Sequence, residues 1–305
     1  MMKIKIGTRR SPLAMAQARL VADLLTEATD GVETELVPMS TRGDRNDRIA
    51  LWKIGGKGLF VRELEQALMA GGIDVAVHSM KDLPGDTNDA FSLGAIPERE
   101  DPRDVLIFPE RIQTILDLPS GAVVGTSSLR RKAQLLSRRP DLVVTPLRGN
   151  VGTRMEKVHR GECDATLLAV AGMKLLGIES ETYCFLEGDD FIPAAGQGAL
   201  AVEVRRGEEG LVDVLDHRRS RITALAERAF VTDLGSDCRS AVGAYARIKN
   251  GILTITGMVS APDGSRIIRE EASGDPDDFD GIGKNLAHTC LQKGADLLLS
   301  MHPEG

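Results

Sequence analysis

The segment Gly125-Thr126-Ser127-Ser128-Leu129-Arg130-Arg131 sets two guanidiniums just behind a small-residue turn. A strand that ends in such a turn and opens a helix leaves backbone N–H groups unpaired at the positive end of the helix, which is an anion site before any side chain is counted. Arg130 and Arg131 add planar forks shaped for carboxylates. The stretch Leu147-Arg148-Gly149-Asn150-Val151-Gly152-Thr153-Arg154 repeats the arrangement, and Arg9 and Ser11 occupy the matching junction near the N-terminus. Arginine favours the last turn of a helix, so these placements oppose the helix dipole and imply a focused anion site. In His78-Ser79-Met80-Lys81-Asp82-Leu83-Pro84 an adjacent lysine and aspartate close a strand. There the aspartate can move a proton or balance a developing cation. Cys238 stands in the polar loop Gly235-Ser236-Asp237-Cys238-Arg239-Ser240, an exposed place for a thiol unless it is used. Cys163 and Cys290 read as packing thiols, and Cys184 carries no signal.

The elements that must position these residues follow from periodicity. Strands are expected over 3–6, 33–37 and 73–77, with helices opening at Ser11-Pro12 and around Phe60. Leu13, Ala16, Leu20 and Leu24, with Val21 and Leu25, predict the buried stripe of the first helix. That βαβαβ order signals a parallel sheet with right-handed crossovers. It recurs as strands 122–125, 142–145 and 165–169 alternating with helices 127–138 and 151–160. Two α/β lobes facing each other bring the carboxyl ends of their sheets to one cleft. Residues 199–204 predict a strand that returns to the first lobe, and 212–234 a helix. Beyond Cys238 the pattern changes to alternating strands over 242–248, 252–259 and 266–269. A closing helix over 279–301 is expected to bury Leu286, Cys290 and Leu297. The domains are therefore read as 1–98 plus 196–216, 99–195, and an α+β domain over 217–305. The segment 41–58 is long and rich in Gly, Arg and Asp, the composition of a lid.

The chain of 305 residues carries 38 Lys and Arg against 45 Asp and Glu, a formal charge of -7. That sign argues against sequence-independent binding of nucleic acid. The N-terminal residues lack the apolar run of an export signal, and no apolar stretch is long enough for a membrane span, so a cytoplasmic protein is expected. The four cysteines are too scattered for a zinc site, and no metal is expected.

Taken in order, "TRRSPLA" (8–14), "GGKGLF" (55–60), "AVHSMKDLP" (76–84), "EREDPRD" (98–104), "GTSSLRR", "RRPDL" (138–142), "LRGNVGTR" and "PAAGQGA" (193–199) span most of the first 200 residues. Together they resemble the porphobilinogen deaminase (hydroxymethylbilane synthase) family of tetrapyrrole biosynthesis. The resemblance implies two lobes like periplasmic binding proteins and a third domain carrying a cysteine. A dipyrromethane cofactor hangs from that cysteine as a thioether and primes the addition of four porphobilinogen units, each releasing ammonia, before hydrolysis frees hydroxymethylbilane. By carry-over Cys238 is the attachment point and Asp82 the catalytic aspartate, stabilising the cationic azafulvene left when ammonia departs. Lys81, Thr126, Ser127, Ser128, Arg130, Arg131 and Gly172, with Asp82, should hold the cofactor. Arg9, Ser11, Phe60, Arg148, Asn150, Arg154 and Gln197 should meet the substrate. The family usually has Gly-Gly before the attachment cysteine and an arginine after "AVAG" (169–172). Here Ser236-Asp237 and Met173-Lys174-Leu175-Leu176 stand in those places. The expected assembly is a monomer, with porphobilinogen as its small-molecule partner.

Two other readings use the same residues. A two-lobed receptor for a small polycarboxylate needs the arginine cleft but no chemistry. An enzyme forming a Schiff base through Lys81 needs no thiol at position 238.

Overall fold

The computed structural model describes residues 2–40, 61–85, 88–110, 112–178, 183–188, 190–236 and 240–301. The predicted lid over 41–58, Phe60 and Cys238 lie outside the described residues. The first lobe comprises β1 (Met2–Arg9), α1 (Pro12–Ala28), β2 (Val32–Met39), α2 (Arg62–Met69), β3 (Val75–Ser79) and β4 (Phe91–Ala95). The second runs through β5 (Asp104–Ile107), β6 (Val123–Gly125), α3 (Leu129–Arg138), β7 (Val143–Thr145), α4 (Val151–His159), β8 (Ala165–Ala169), α5 (Val170–Leu175) and β9 (Cys184–Leu186). The chain then returns as β10 (Leu200–Arg205).

The strand orders are β2-β1-β3-β10-β4 and β7-β6-β8-β5-β9, one pattern used twice. In each sheet a parallel trio is flanked by the strand through which the chain crosses between lobes. That strand runs antiparallel to its neighbours: β10 pairs β3 and β4, and β5 pairs β8 and β9. The expected parallel sheets are therefore mixed. β4, β5 and β9 went unpredicted; β5 is buried at every residue, which removes the two-residue alternation.

Ser11 caps α1 by accepting from the Ala14 amide at 3.3 Å, with Pro12 at the first helical position. The buried residues of α1 are Ala14, Ala18, Val21, Ala22 and Leu25; Val21 and Leu25 are buried as expected, but Leu13 and Ala16 are only half-buried and Leu20 is 39% exposed. Small side chains let the helix lie close to the sheet, while Leu13 and Leu20 turn toward the second lobe.

The C-terminal domain is an antiparallel sheet of β11 (Val242–Lys249), β12 (Ile252–Ser260) and β13 (Ile267–Gly274). Against it pack α6 (Arg218–Asp233), α7 (Phe279–Gln292) and α8 (Ala295–Ser300). Asn250 and Gly251 both take positive φ, the geometry of a tight hairpin turn that suits these residues. A 3₁₀ turn, Asp213–Leu215, replaces the predicted start of α6, which opens at Arg218. The closing helix breaks at Gly294, whose φ is +90°. Leu286 and Cys290 are buried as expected, but that break turns Leu297 out to 57% exposure.

Candidate functional site

The residues singled out in the two lobes sit at strand ends that face one another. After β3, the chain makes a 3₁₀ turn over Met80–Asp82. Met80 and Leu83 are buried in a cluster with Ala224 of α6, which leaves Lys81 and Asp82 between two anchored neighbours. Asp82 is exposed. Lys81 is partly buried, with its Nζ 3.4 Å from Gln197 Oε1. Desolvation pushes its pKa down to about 8, against the attraction of Asp82 and with repulsion from Arg131 and Arg130 adding to the shift. Cations from opposite lobes thus feel one another across the cleft.

In the second lobe β6 ends at Gly125, and Ser128 caps α3 by accepting from the Arg131 amide at 3.4 Å. The helix opens at Leu129, two residues later than expected. Thr126 Oγ1 accepts from the Ser128 amide, and Ser127 Oγ donates to Leu147 O. Behind this turn lies Asp104, the last residue of "EREDPRD". Arg130 NH1 donates to its Oδ2 at 2.7 Å, and Arg131 donates to its Oδ1 through Nε at 3.1 Å and NH2 at 2.7 Å. Burial alone would raise the Asp104 pKa, but the two guanidiniums attract and hydrogen-bond the carboxylate and hold it well below the ordinary range. Arg130 is 4% exposed and Arg131 6%, so much of each fork faces Asp104 rather than solvent. Sequence reasoning missed this counterion, although it closes a quoted motif.

Asn150 caps α4 by accepting from the Thr153 amide at 2.9 Å. Gly149, with φ at +120°, turns its carbonyl to accept from Arg154 Nε at 2.8 Å. Burial, together with repulsion from Arg131 and Arg148, pushes the Arg154 pKa down to about 10. Three guanidiniums therefore crowd one wall. Arg9 is half-buried at the end of β1, beside the Ser11 cap.

Gln197 was expected to touch substrate, but it is 1% exposed and its amide is taken up by the protein. Its Nε2 donates to Pro102 O at 2.7 Å and Asp104 Oδ1 at 3.0 Å, while its Oε1 faces Lys81. It supports the two charged clusters from beneath. Gly172 in α5 faces α1, where a Cβ would meet Leu13 Cδ2 at 3.4 Å, an ordinary van der Waals contact. A cavity of about 270 Å³ lies between the lobes, bordered by Leu13, Leu20, Lys81, Gly172, Leu175 and Gln197. Lys174 pairs with Glu100 at 2.8 Å, so its charge is engaged at the cavity's rim.

The donor set suits a polycarboxylate. Mutually repelling guanidiniums and a lysine whose charge is disfavoured by burial are each relieved by bringing carboxylates between them. Among the described residues no group of three or more His, Cys, Asp or Glu could hold a metal ion. None of the described helices is long and apolar enough to cross a membrane.

Comparison with known proteins agrees with that chemistry. The family described as "Porphobilinogen deaminase, dipyromethane cofactor binding domain" matches residues 4–213, and "Porphobilinogen deaminase, C-terminal domain" matches 221–292. This chain belongs to the porphobilinogen deaminase family. A porphobilinogen deaminase of Alkaliphilus metalliredigens is 45% identical over 302 residues, covering 98% of this chain and 95% of that one. One of Thiobacillus denitrificans is 46% identical over 303 residues, covering 98% and 99%. Among solved structures, an ancestral cationic amino acid solute binding protein is 15% identical with a TM-score of 0.42, covering 70% of this chain and 86% of that one. The family match covers both lobes and most of the C-terminal domain.

Proposed function

We propose that this chain joins four porphobilinogen molecules head to tail, releasing ammonia from each, and frees the product as hydroxymethylbilane. The observation that carries the reading is the crowding of Lys81, Arg131, Arg148 and Arg154 around one cleft, in a chain of this family. Each porphobilinogen bears an acetate and a propionate, so a growing chain accumulates the anions such a cleft receives. The dipyrromethane, held as a thioether of Cys238, supplies the primer. Its acids are held by Lys81, Ser128, Arg131 and the N–H groups of the Thr126–Ser128 turn, with Arg130 and Gly172 shaping the wall behind.

Arg9, Ser11, Arg148, Asn150 and Arg154 orient the incoming substrate by its carboxylates, which places its aminomethyl carbon rather than leaving it to diffuse. Phe60 borders the same mouth in this reading. Asp82 accepts from a pyrrole N–H of the substrate, balances the positive charge that grows as ammonia departs, and moves a proton at its carboxylate oxygen. The domain division read from the sequence supports this assignment, because β10 belongs to the first sheet. We place the working protein in the cytoplasm as a monomer, without nucleic-acid or membrane partners, in keeping with its net charge of -7.

Intact-mass measurement tests the reading. Chain purified from a host that makes porphobilinogen should exceed its sequence mass by one dipyrromethane, and Cys238→Ser should lose the increment. A wild-type chain of bare sequence mass that makes no bilane would overturn it. A borohydride-trappable adduct on Lys81 would favour the Schiff-base alternative.

A further inference from the structure

The turn that presents Asp82 is held from the C-terminal domain by a guanidinium that has no obvious business there. Arg228 on α6 donates NH1 to Leu83 O at 3.0 Å and NH2 to Pro84 O at 2.7 Å and Gly85 O at 3.3 Å. One turn further along the helix, Thr232 closes on the same loop: a Cβ on Gly85 would lie 2.5 Å from its Oγ1. Upstream of Asp82 the side chain of Met80, and downstream that of Leu83, are buried with Ala224 of the same helix.

A partly buried guanidinium gives up hydration, and backbone carbonyls return only partial charges. Its pKa is lowered, chiefly by desolvation, which marks this as a placement made at some cost. What the fork provides is geometry. Its fixed donor directions hold consecutive carbonyls at defined angles, and a lysine cannot reproduce that with a single point charge.

We infer that Arg228 is a positioning residue that sets the orientation of Asp82 by clamping the backbone just beyond it. The inference rests on the activity proposed above. It makes the C-terminal domain a participant in the placement of the catalytic carboxylate in addition to carrying the cofactor thiol. A misplacement on the order of 1 Å costs about 100-fold in rate, so the effect belongs in turnover rather than in substrate affinity.

The test uses the full-length holoprotein and follows bilane formation from porphobilinogen. Arg228→Lys should keep the cofactor mass increment, keep KM within about 2-fold and lower kcat by about 10- to 100-fold. In an Asp82→Glu background the same change should add little, because both substitutions disturb one placement. In Arg228→Ala, added guanidinium should restore part of the lost kcat. An Arg228→Lys protein with wild-type kcat, losses that multiply in the double variant, or no response to guanidinium would each overturn the inference. A wild-type chain inert toward porphobilinogen would instead sink the activity on which it rests, so the two failures are told apart.

Discussion

Replacing Asp104 with asparagine keeps the shape of the side chain and removes its charge, leaving Arg130 and Arg131 buried without their counterion. The carboxylate receives Arg130 NH1 at 2.7 Å, Arg131 NH2 at 2.7 Å, Arg131 Nε at 3.1 Å and Gln197 Nε2 at 3.0 Å. Asparagine offers one oxygen in place of two and points an N–H₂ group at a guanidinium. Breaking a buried pair on one side costs about 3–5 kcal/mol. A domain-scale stability is about 5–15 kcal/mol, so this is a large share. At roughly 2–3 °C per kcal/mol for a chain of this size, the melting temperature should fall by about 6–15 °C in calorimetry at pH 7. The pH dependence has a definite sign. Because the folded pKa of Asp104 is depressed, its contribution is present above the unfolded value near 3.8 and fades as pH falls through the folded value. The gap between wild type and Asp104→Asn should thus stay constant around neutrality and narrow only in acid. A variant that melts within 2 °C of wild type at pH 7, about the effect of 1 kcal/mol or less, would refute the view that Asp104 holds the arginines in place.

Asp82→Asn should retain the cofactor mass increment and the wild-type melting temperature while losing about 100- to 10,000-fold in kcat, the range for a general acid or base; wild-type turnover would remove Asp82 from the chemistry. Lys81, pushed down to about 8 by burial, destabilises the cofactor-free fold while charged. In a Cys238→Ser background stability should therefore rise between pH 8 and pH 10.5, the ordinary lysine value, and Lys81→Met should flatten that rise. Parallel melting profiles for the two proteins across this window would show that Lys81 is not the group responsible.

Local chemistry was readable from the chain and long-range partnership was not. Ser11-Pro12 announces its helix because a cap is a contact between near neighbours, and Ser11 caps as expected; Ser128 and Asn150 cap by equally local contacts that the sequence reading did not single out. The odd placement of Arg130 and Arg131 early in a helix was legible as a signal for an anion. Its resident partner was not, since Asp104 lies 26 and 27 residues away and reaches them only through the sheet. Arg228 and Leu83 are 145 residues apart, beyond any periodicity. In α1 Val21 and Leu25 are core as expected, and the rest of the stripe was misread for a different reason. Leu13 and Leu20 look like core by hydrophobicity, but in a two-lobed molecule an apolar side chain can also border the space between lobes.

The return of β10 to the first sheet fixes an order of assembly during synthesis. Among the described residues β4 pairs only with β10 in that sheet, so the first lobe cannot finish its edge until residue 205 has left the ribosome. The second sheet draws all its strands from one unbroken stretch, 104–186, and can close first. The lobe that begins the polypeptide is therefore the later to be completed, and nascent chains cut short between residues 186 and 200 should hold a folded middle and a protease-sensitive front.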